Sequence, residues 1–270
     1  MGDDSFDGAQ QGVDELLVAY DTTLRQIGSL PEIPMRRAAV GAAVTALEPA
    51  EGVWWIDQLV RGALWGKNPE MDAMIACADW LVRLRQEDDY DTIATLYEAA
   101  AQAERESVLM LLRDPPAHRA LRNGARLPET RLPLNRDVTL GERRSMARGQ
   151  DRRFLERLIL DPSPLVVEQL LANPAIRLSD VITIAARRPT LPELVLQVAL
   201  APKWFRESKI REAIVQNPFA ATGLALKLMP TLNIHSLRKI RHAGDLHPAV
   251  HTFAKILVEL REQRTAPWKV

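Results

Sequence analysis

The sequence predicts an all-α fold in which a helical N-terminal region precedes an α-solenoid of short helical hairpins. Two observations carry this prediction. In the second half of the chain, prolines recur at spacings of 27 to 30 residues, and the segments between them repeat apolar residues with helical periodicity. In the first half, amphipathic stretches of helical length are separated by short joints rich in Pro, Gly and Asp, which favours antiparallel neighbouring helices.

The N-terminal region, residues 1–113, is predicted to be helical without a repeat period. Its six expected helices cover 12–28, 35–47, 51–65, 70–86, 90–102 and 104–113. Four tryptophans lie on these helices: Trp54, Trp55, Trp65 and Trp80. They are interpreted as core anchors, with an aromatic-rich docking surface as the alternative.

Residues 114–138 form the second predicted region, a linker or an ordered strap along the solenoid. Its prolines exclude a continuous helix, and its arginines make it strongly basic. These residues are Pro115, Pro116, Pro128 and Pro133, with Arg119, Arg122, Arg126, Arg131 and Arg136.

Residues 139–270 form the third region, the predicted repeat array. Two interleaved proline series end its helices: Pro174, Pro202 and Pro230, and Pro162, Pro189, Pro218 and Pro248. Asn173 and Asn217 precede two of these prolines and are expected to end helices in the left-handed conformation. The first helices of the hairpins are predicted at 163–173, 191–201 and 219–229, the second helices at 177–188, 203–216 and 233–242, and a capping helix at 248–262.

A hairpin of about 28 residues cannot bury its apolar face alone, so neighbouring hairpins must stack. The segments Asp161-Pro162-Ser163-Pro164-Leu165-Val166-Val167, Leu171-Ala172-Asn173-Pro174, Ala185-Ala186-Arg187-Arg188-Pro189-Thr190 and Val215-Gln216-Asn217-Pro218 resemble bacterial helical-repeat proteins of the HEAT-like and leucine-rich-repeat-variant kind. The resemblance covers residues 140–262. It implies a curved α-solenoid used as an interaction surface, and it carries over no catalytic residue.

Charge is divided along the chain although the formal net charge is zero. Residues 1–100 hold 18 Asp/Glu against 7 Lys/Arg, and residues 101–270 hold 17 against 28. This asymmetry indicates either that the two halves attract each other or that the second half binds an anionic partner. Cys77 is the only cysteine, the N-terminus is acidic where a signal peptide is basic, and no apolar run is long enough to span a membrane. A cytoplasmic protein without a membrane span is therefore expected.

The second helices concentrate the basic charge of the repeats, which predicts a binding surface for an anionic partner. The candidate binding residues are Arg187, Arg188, Lys203, Trp204, Arg206, Lys209, Arg238, Lys239 and Arg241. The expected function is a non-catalytic scaffold or adaptor that binds another protein with an acidic surface. The alternative is a binder of nucleic acid or a phosphorylated ligand, since Trp204 beside Lys203 and Arg206 has the composition of a stacking platform. A solvated outer layer is the third interpretation.

No catalytic signature is found, so an enzyme is not predicted, and no cofactor is expected. The sequence lacks a Gly-rich phosphate loop, a Gly-x-Ser-x-Gly elbow, a His-Glu-x-x-His motif and a Cys-x-x-Cys pair. His242, His247 and His251 with Asp245 have a spacing that can hold a transition metal. Cap and turn positions explain the same residues, so no metal site is predicted.

Overall fold

A computed structural model of the chain describes residues 4–87, 89–121, 127, 130–134 and 136–263, with side chains from Asp14 onward. Within these residues the structure is helical and contains no strand, which confirms the predicted all-α class for this part of the chain. None of the described helices combines the length and apolar character needed to cross a membrane. Two compact units are present: unit 1 comprises residues 1–109 and 256–270, and unit 2 comprises residues 110–255.

The helices of the first half lie close to their predicted positions, and the first begins earlier than expected. They are α1 (Asp4–Ser29), α2 (Ile33–Thr45), α3 (Pro49–Leu64), α4 (Asn68–Gln86), α5 (Tyr90–Gln102) and α6 (Glu106–Leu112). Proline stands in the first turn of α2, α3 and α4, where the missing N–H has no partner to lose. Gly66, at φ +71°, follows the end of α3 in the left-handed conformation that glycine adopts without strain.

In unit 1, α4 packs against α1, α2 and α3, and α5 packs mainly against α3. The fully buried side chains include Ile27, Ile56, Leu59, Met74 and Leu81. The four tryptophans divide: Trp55 and Trp80 are buried, as expected of core anchors, Trp54 is half-buried, and Trp65 is 47% exposed.

The helices of unit 2 are shorter. They are α7 (Leu140–Ala147), α8 (Arg152–Leu158), α9 (Pro164–Ala172), α10 (Leu178–Ala186), α11 (Pro192–Leu200), α12 (Pro202–Phe205), α13 (Ser208–Val215), α14 (Thr222–Leu228) and α15 (Ile234–Arg241). A 3₁₀ turn (Met229–Thr231) follows α14, and α16 (Pro248–Glu262) completes the described helices. The predicted continuous helix at 203–216 is wrong, because the chain breaks at Arg206 and Glu207 between α12 and α13.

In unit 2, contacts join helices that are not consecutive along the chain. Helix α9 packs on α7 and α11, and α10 packs on α13. Just after α9, the Asn173 amide donates hydrogen bonds to the carbonyls of Ala147 and Gly149 at the end of α7, both at 2.7 Å. The C-terminal ends of α7 and α9 therefore lie side by side.

The N-terminal ends of α8 and α10 are also adjacent. Arg152, in the first turn of α8, donates to both carboxylate oxygens of Asp180 in α10 at 2.6 and 2.7 Å. The Arg152 guanidinium holds the pKa of Asp180 below its ordinary value, mainly through these hydrogen bonds. Arg152 and Asp180 are 28 residues apart, which is also the spacing of Pro174, Pro202 and Pro230.

A non-helical segment, residues 113–121, lies against α14 and its neighbours within unit 2. The Thr222 hydroxyl donates to the Pro116 carbonyl at 2.6 Å, and the Arg119 backbone N–H donates to the Pro218 carbonyl at 2.8 Å. We call residues 113–121 the strap segment. In the rest of the predicted second region, Arg122, Arg126 and Pro128 lie outside the described residues. The predicted three-region division stays a prediction.

Candidate interaction surface

The predicted binding residues separate into those that hold helices together and those that face solvent. Arg187, just after α10, donates to the Leu160 carbonyl and, at 3.3 Å, to the Asp161 carbonyl beyond the end of α8. Arg188 donates to the Gln216 carbonyl at the end of α13. Carbonyls at a helix C-terminus lack partners within the helix and carry partial negative charge. Both arginines therefore act as caps on neighbouring helices.

Arg211, a basic residue of the predicted second helix, lies inside unit 2. It is 3% exposed, and it donates to the carbonyls of Phe205 and Arg206, both at 2.7 Å, and to the Thr231 hydroxyl at 2.8 Å. Burial lowers the pKa of this guanidinium to about 10. Its hydrogen bonds hold the carbonyls of the last residue of α12 and of the residue after it, and so stabilise the turn between α12 and α13.

Trp204 lies in the helical core, with only 5% of its surface exposed. Its indole N–H donates to the Leu171 carbonyl at 2.8 Å, and the Lys203 ammonium lies 4.3 Å from its ring centroid. The ring is thus occupied by contacts within unit 2. In this conformation it does not present the open face that base stacking requires.

Lys203, Arg206, Lys209, Arg238 and Lys239 are exposed, and Arg241 is half-buried with its Nε atom 3.2 Å from His242 Nε2. On α15 and its C-terminal cap, four exposed ionisable side chains stand at helical positions i, i+3, i+4 and i+7, so they share one side of the helix. We call this side of the helix the cationic face after the charges of Arg238 and Lys239; His235 and His242 border them on the same side.

The two histidines of the cationic face were not predicted as binding residues, since His235 appears isolated in the linear sequence and His242 was considered only with His247 and His251 as a possible metal ligand. The sequence feature that identifies both histidines is their spacing of three or four residues from Arg238 and Lys239. At the helix start, Asn233 accepts a hydrogen bond from the Ser236 N–H at 2.9 Å, and the Ser236 hydroxyl donates to Glu212 of α13 at 2.8 Å. These bonds fix α15 against its neighbour and leave the cationic face outward.

The His247 and His251 rings are engaged with protein groups. The two ring nitrogens of His251 lie 3.1 Å from the Ile240 carbonyl oxygen and 3.2 Å from that of Leu246. His247 Nδ1 accepts from the Ala249 N–H, and the His247 ring meets the His118 ring edge to face. Burial and the neighbouring His118 lower the pKa of His247. Among the described residues no group of three or more His, Cys, Asp or Glu is placed to hold a metal ion.

Asp57 and Asp79 are two of the three buried carboxylates among the described residues of unit 1, a feature that sequence reasoning missed. Asp57 accepts a hydrogen bond from the Ser107 hydroxyl at 2.5 Å and forms an ion pair with Arg61 at 2.8 Å. Asp79 pairs with Arg37 at 3.0 Å and with Arg83 at 3.2 Å. Asp57 and Asp79 already have cationic partners within unit 1, so we interpret them as members of internal ion pairs.

Cys77 is fully buried, and burial raises the pKa of its thiol to about 12. A neutral, inaccessible thiol is a poor nucleophile at neutral pH. Cys77 therefore packs as a small apolar residue on the core side of α4.

Comparison with protein-family models, curated proteins and solved structures finds no match to the chain. The resemblance to HEAT-like repeats stays a prediction.

Proposed function

We propose that the chain is a non-catalytic scaffold or adaptor whose unit 2 is an α-solenoid of the HEAT-like kind. The recurrence of contacts at one spacing supports the solenoid. The Arg152–Asp180 ion pair and the Arg188–Gln216 hydrogen bond each join residues 28 apart. Stacked hairpins of constant length bring equivalent helix ends together at such intervals, and they create an extended surface for binding.

The exposed cationic face of α15 is the observation that carries the proposed function. It is reinforced by Lys203, Arg206 and Lys209, which are also exposed. Unit 2 as a whole contains 24 Lys/Arg against 13 Asp/Glu, so its field attracts anions. The partner that fits is an acidic segment of another protein. A nucleic-acid partner is less well supported, because Trp204 is buried and does not supply a stacking surface.

A charge-reversal experiment tests this function. Binding of a fluorescent peptide of eight glutamates is measured by anisotropy over a range of salt concentrations. We expect the affinity to fall with salt, because screening weakens attraction between exposed charges. Arg238→Glu with Lys239→Glu is expected to weaken binding at least about tenfold, since each lost contact with a charged group costs roughly 1–3 kcal/mol.

The matched control is Arg148→Glu with Arg157→Glu, which changes the net charge equally at two other exposed positions of unit 2. This control should stay within about twofold of the original affinity. If both double substitutions weakened binding equally, the attraction would depend on total charge alone, which would contradict a site at α15. Tighter binding of a DNA oligomer with the same number of charges would favour the alternative, a phosphate-bearing ligand.

A further inference from the structure

Helix α5 of unit 1 has one side on which tyrosine and alanine side chains are exposed and do not contribute to the core. Tyr90, Ala94, Tyr97 and Ala101 follow one another at positions i, i+4, i+7 and i+11, so they share one side of the helix. All four are exposed, and the two tyrosines have 53% and 38% of their surface accessible. The buried side chains of this helix are on another side: Leu96, Ala99 and Ala100. We call the four exposed residues the tyrosine stripe.

A second exposed row with acidic character lies directly beside the tyrosine stripe. Asp91, Thr95, Glu98 and Gln102 repeat the same spacing one residue later. Helix α5 contains no Lys or Arg, and neither Asp91 nor Glu98 forms an ion pair within the described part of the chain. Further exposed carboxylates flank both ends of the helix: Glu87, Glu104 and Glu106.

We propose that the tyrosine stripe is the docking surface for a basic amphipathic helix of a partner protein. Alanines at 94 and 101 let a second helix approach closely, since small side chains at a crossing shorten the distance between helix axes. The tyrosines on either side of Ala94 offer large, rigid contact area of the kind that dominates binding energy. The acidic row then selects Lys or Arg on the flank of the incoming helix.

An arginine–tyrosine contact of the kind proposed for the partner already occurs within the chain. The Arg85 guanidinium carbon lies 4.8 Å from the Tyr90 ring centroid, and an Arg85 N–H donates to the Tyr90 hydroxyl. An arginine therefore already stacks on one end of the stripe, as cations do on phenol rings. Tyr97 carries no such contact among the described residues. It is the position where an arginine of the partner fits.

The acidic row argues against two other occupants. A helix that lies on a membrane carries Lys and Arg beside its apolar side, because lipid surfaces are anionic. Nucleic acid carries negatively charged phosphates, so the carboxylates of the acidic row repel it. The surface also belongs to unit 1, so this proposal is independent of the cationic face in unit 2.

Selection from a display library of amphipathic helices tests the proposal. Positions beside the apolar stripe of the library encode Lys, Arg, Glu and Gln in equal proportion. The full-length chain is the target, and peptides that also bind the Ala94→Arg variant are removed, because that substitution blocks the stripe with bulk and positive charge. We expect Lys and Arg to be enriched at the flanking positions.

The selected peptides are then titrated against exposed-residue variants whose fold is checked by circular dichroism. Tyr97→Ser should weaken binding at least about tenfold, as loss of a central aromatic anchor does. Val18→Ser, at another exposed apolar residue of unit 1, should stay within about twofold. Enrichment of Glu or Gln, or peptides that bind Tyr97→Ser as well as the original chain, would overturn the proposal. Self-association that Tyr97→Ser abolishes would overturn it in favour of a second copy of this chain.

Discussion

Asn173 and Asn217 hold helix ends together by the same pattern of hydrogen bonds. The Asn217 amide donates to the carbonyls of Ala185 and Arg187 at 2.7 and 3.1 Å, and its oxygen accepts from the Phe219 N–H at 3.0 Å. Asn173 repeats this at the end of α9, with its oxygen accepting from the Ala175 N–H at 2.8 Å. The expected left-handed conformation is wrong for Asn173, whose backbone is extended with φ −73° and ψ 126°. The Asn173 side chain, which both donates and accepts, is therefore the part of the residue that joins the two helix ends.

Asn217→Asp is expected to destabilise the chain by about 2–3 kcal/mol. The substitution keeps the shape of the side chain but replaces two donated hydrogen bonds with a buried carboxylate facing two carbonyls. Urea unfolding measures the free energy change. Asn233→Asp is the matched control, because Asn233 is an exposed N-cap that only accepts a hydrogen bond, a role that Asp fills equally well. Equal effects of the two substitutions would show that the donated bonds do not matter.

The basic residues could be recognised in the sequence, but the groups to which they form hydrogen bonds could not. Arg187 and Arg188 bond to backbone carbonyls of residues 26 to 28 positions away. Backbone carbonyls are present at every position, so no sequence pattern marks which of them an arginine will meet. The burial of Trp204 was missed for the same reason, since its acceptor is the Leu171 carbonyl on another helix.

Most of the helices could be predicted, because prolines and joints mark helix ends locally. The prediction at 90–102 matches α5 (Tyr90–Gln102), and the one at 163–173 lies within one residue of α9 at each end. Helices α7 and α8 were not predicted individually. They have 8 and 7 residues, which is too short for a helical period to emerge over the usual window.

Gly223 lets the strap segment lie directly on α14. A Cβ atom at this position would stand 1.8 Å from Asp114 Oδ1 and 2.8 Å from the Asp114 Cα atom. The Gly223 N–H also donates to the Pro115 carbonyl at 3.3 Å. Lys227, on the same helix, is 4% exposed and donates to the Arg113 carbonyl at 3.4 Å. The strap segment therefore covers a lysine that would otherwise be solvated.

Gly223→Ala is expected to displace the strap segment from α14. The added methyl group clashes with backbone as well as side chain, so the hydrogen bonds at Pro115 and Pro116 must break, at a cost of about 1–3 kcal/mol. Limited trypsin digestion should then cleave faster after Arg113 and Arg119. Gly141→Ala is the control, because a Cβ atom there meets nothing within 4 Å. Unchanged cleavage in Gly223→Ala would contradict the close contact.

The division of charge found along the sequence is also present between the two compact units. Unit 1 contains 22 Asp/Glu against 11 Lys/Arg, and unit 2 contains 13 against 24. Their formal charges are therefore −11 and +11. Sequence reasoning located this division near residue 100 but assigned the C-terminal residues to the basic half. Residues 256–263 instead belong to unit 1, a long-range association that no local pattern encodes.

The placement of residues 256–263 in unit 1 leads to the last prediction. Leu257 is fully buried, and in the following turn the Arg261 guanidinium lies 4.1 Å from the Trp65 ring centroid. Leu257→Ala should destabilise unit 1 by about 2–5 kcal/mol through lost burial and the cavity it leaves. In native-state hydrogen exchange, peptides from α3 and α4 should lose protection more than peptides from α9 and α10, because protection follows the local opening free energy.

Leu237→Ala provides the reciprocal control, since Leu237 is equally buried but belongs to α15 of unit 2. It should lower protection in unit 2 more than in unit 1. The two substitutions remove the same atoms, so a difference between their exchange patterns reports only where each leucine is placed. If Leu257→Ala instead lowered protection mainly in α9 and α10, the C-terminal residues would belong to unit 2, and the charge division between the units would have to be redrawn.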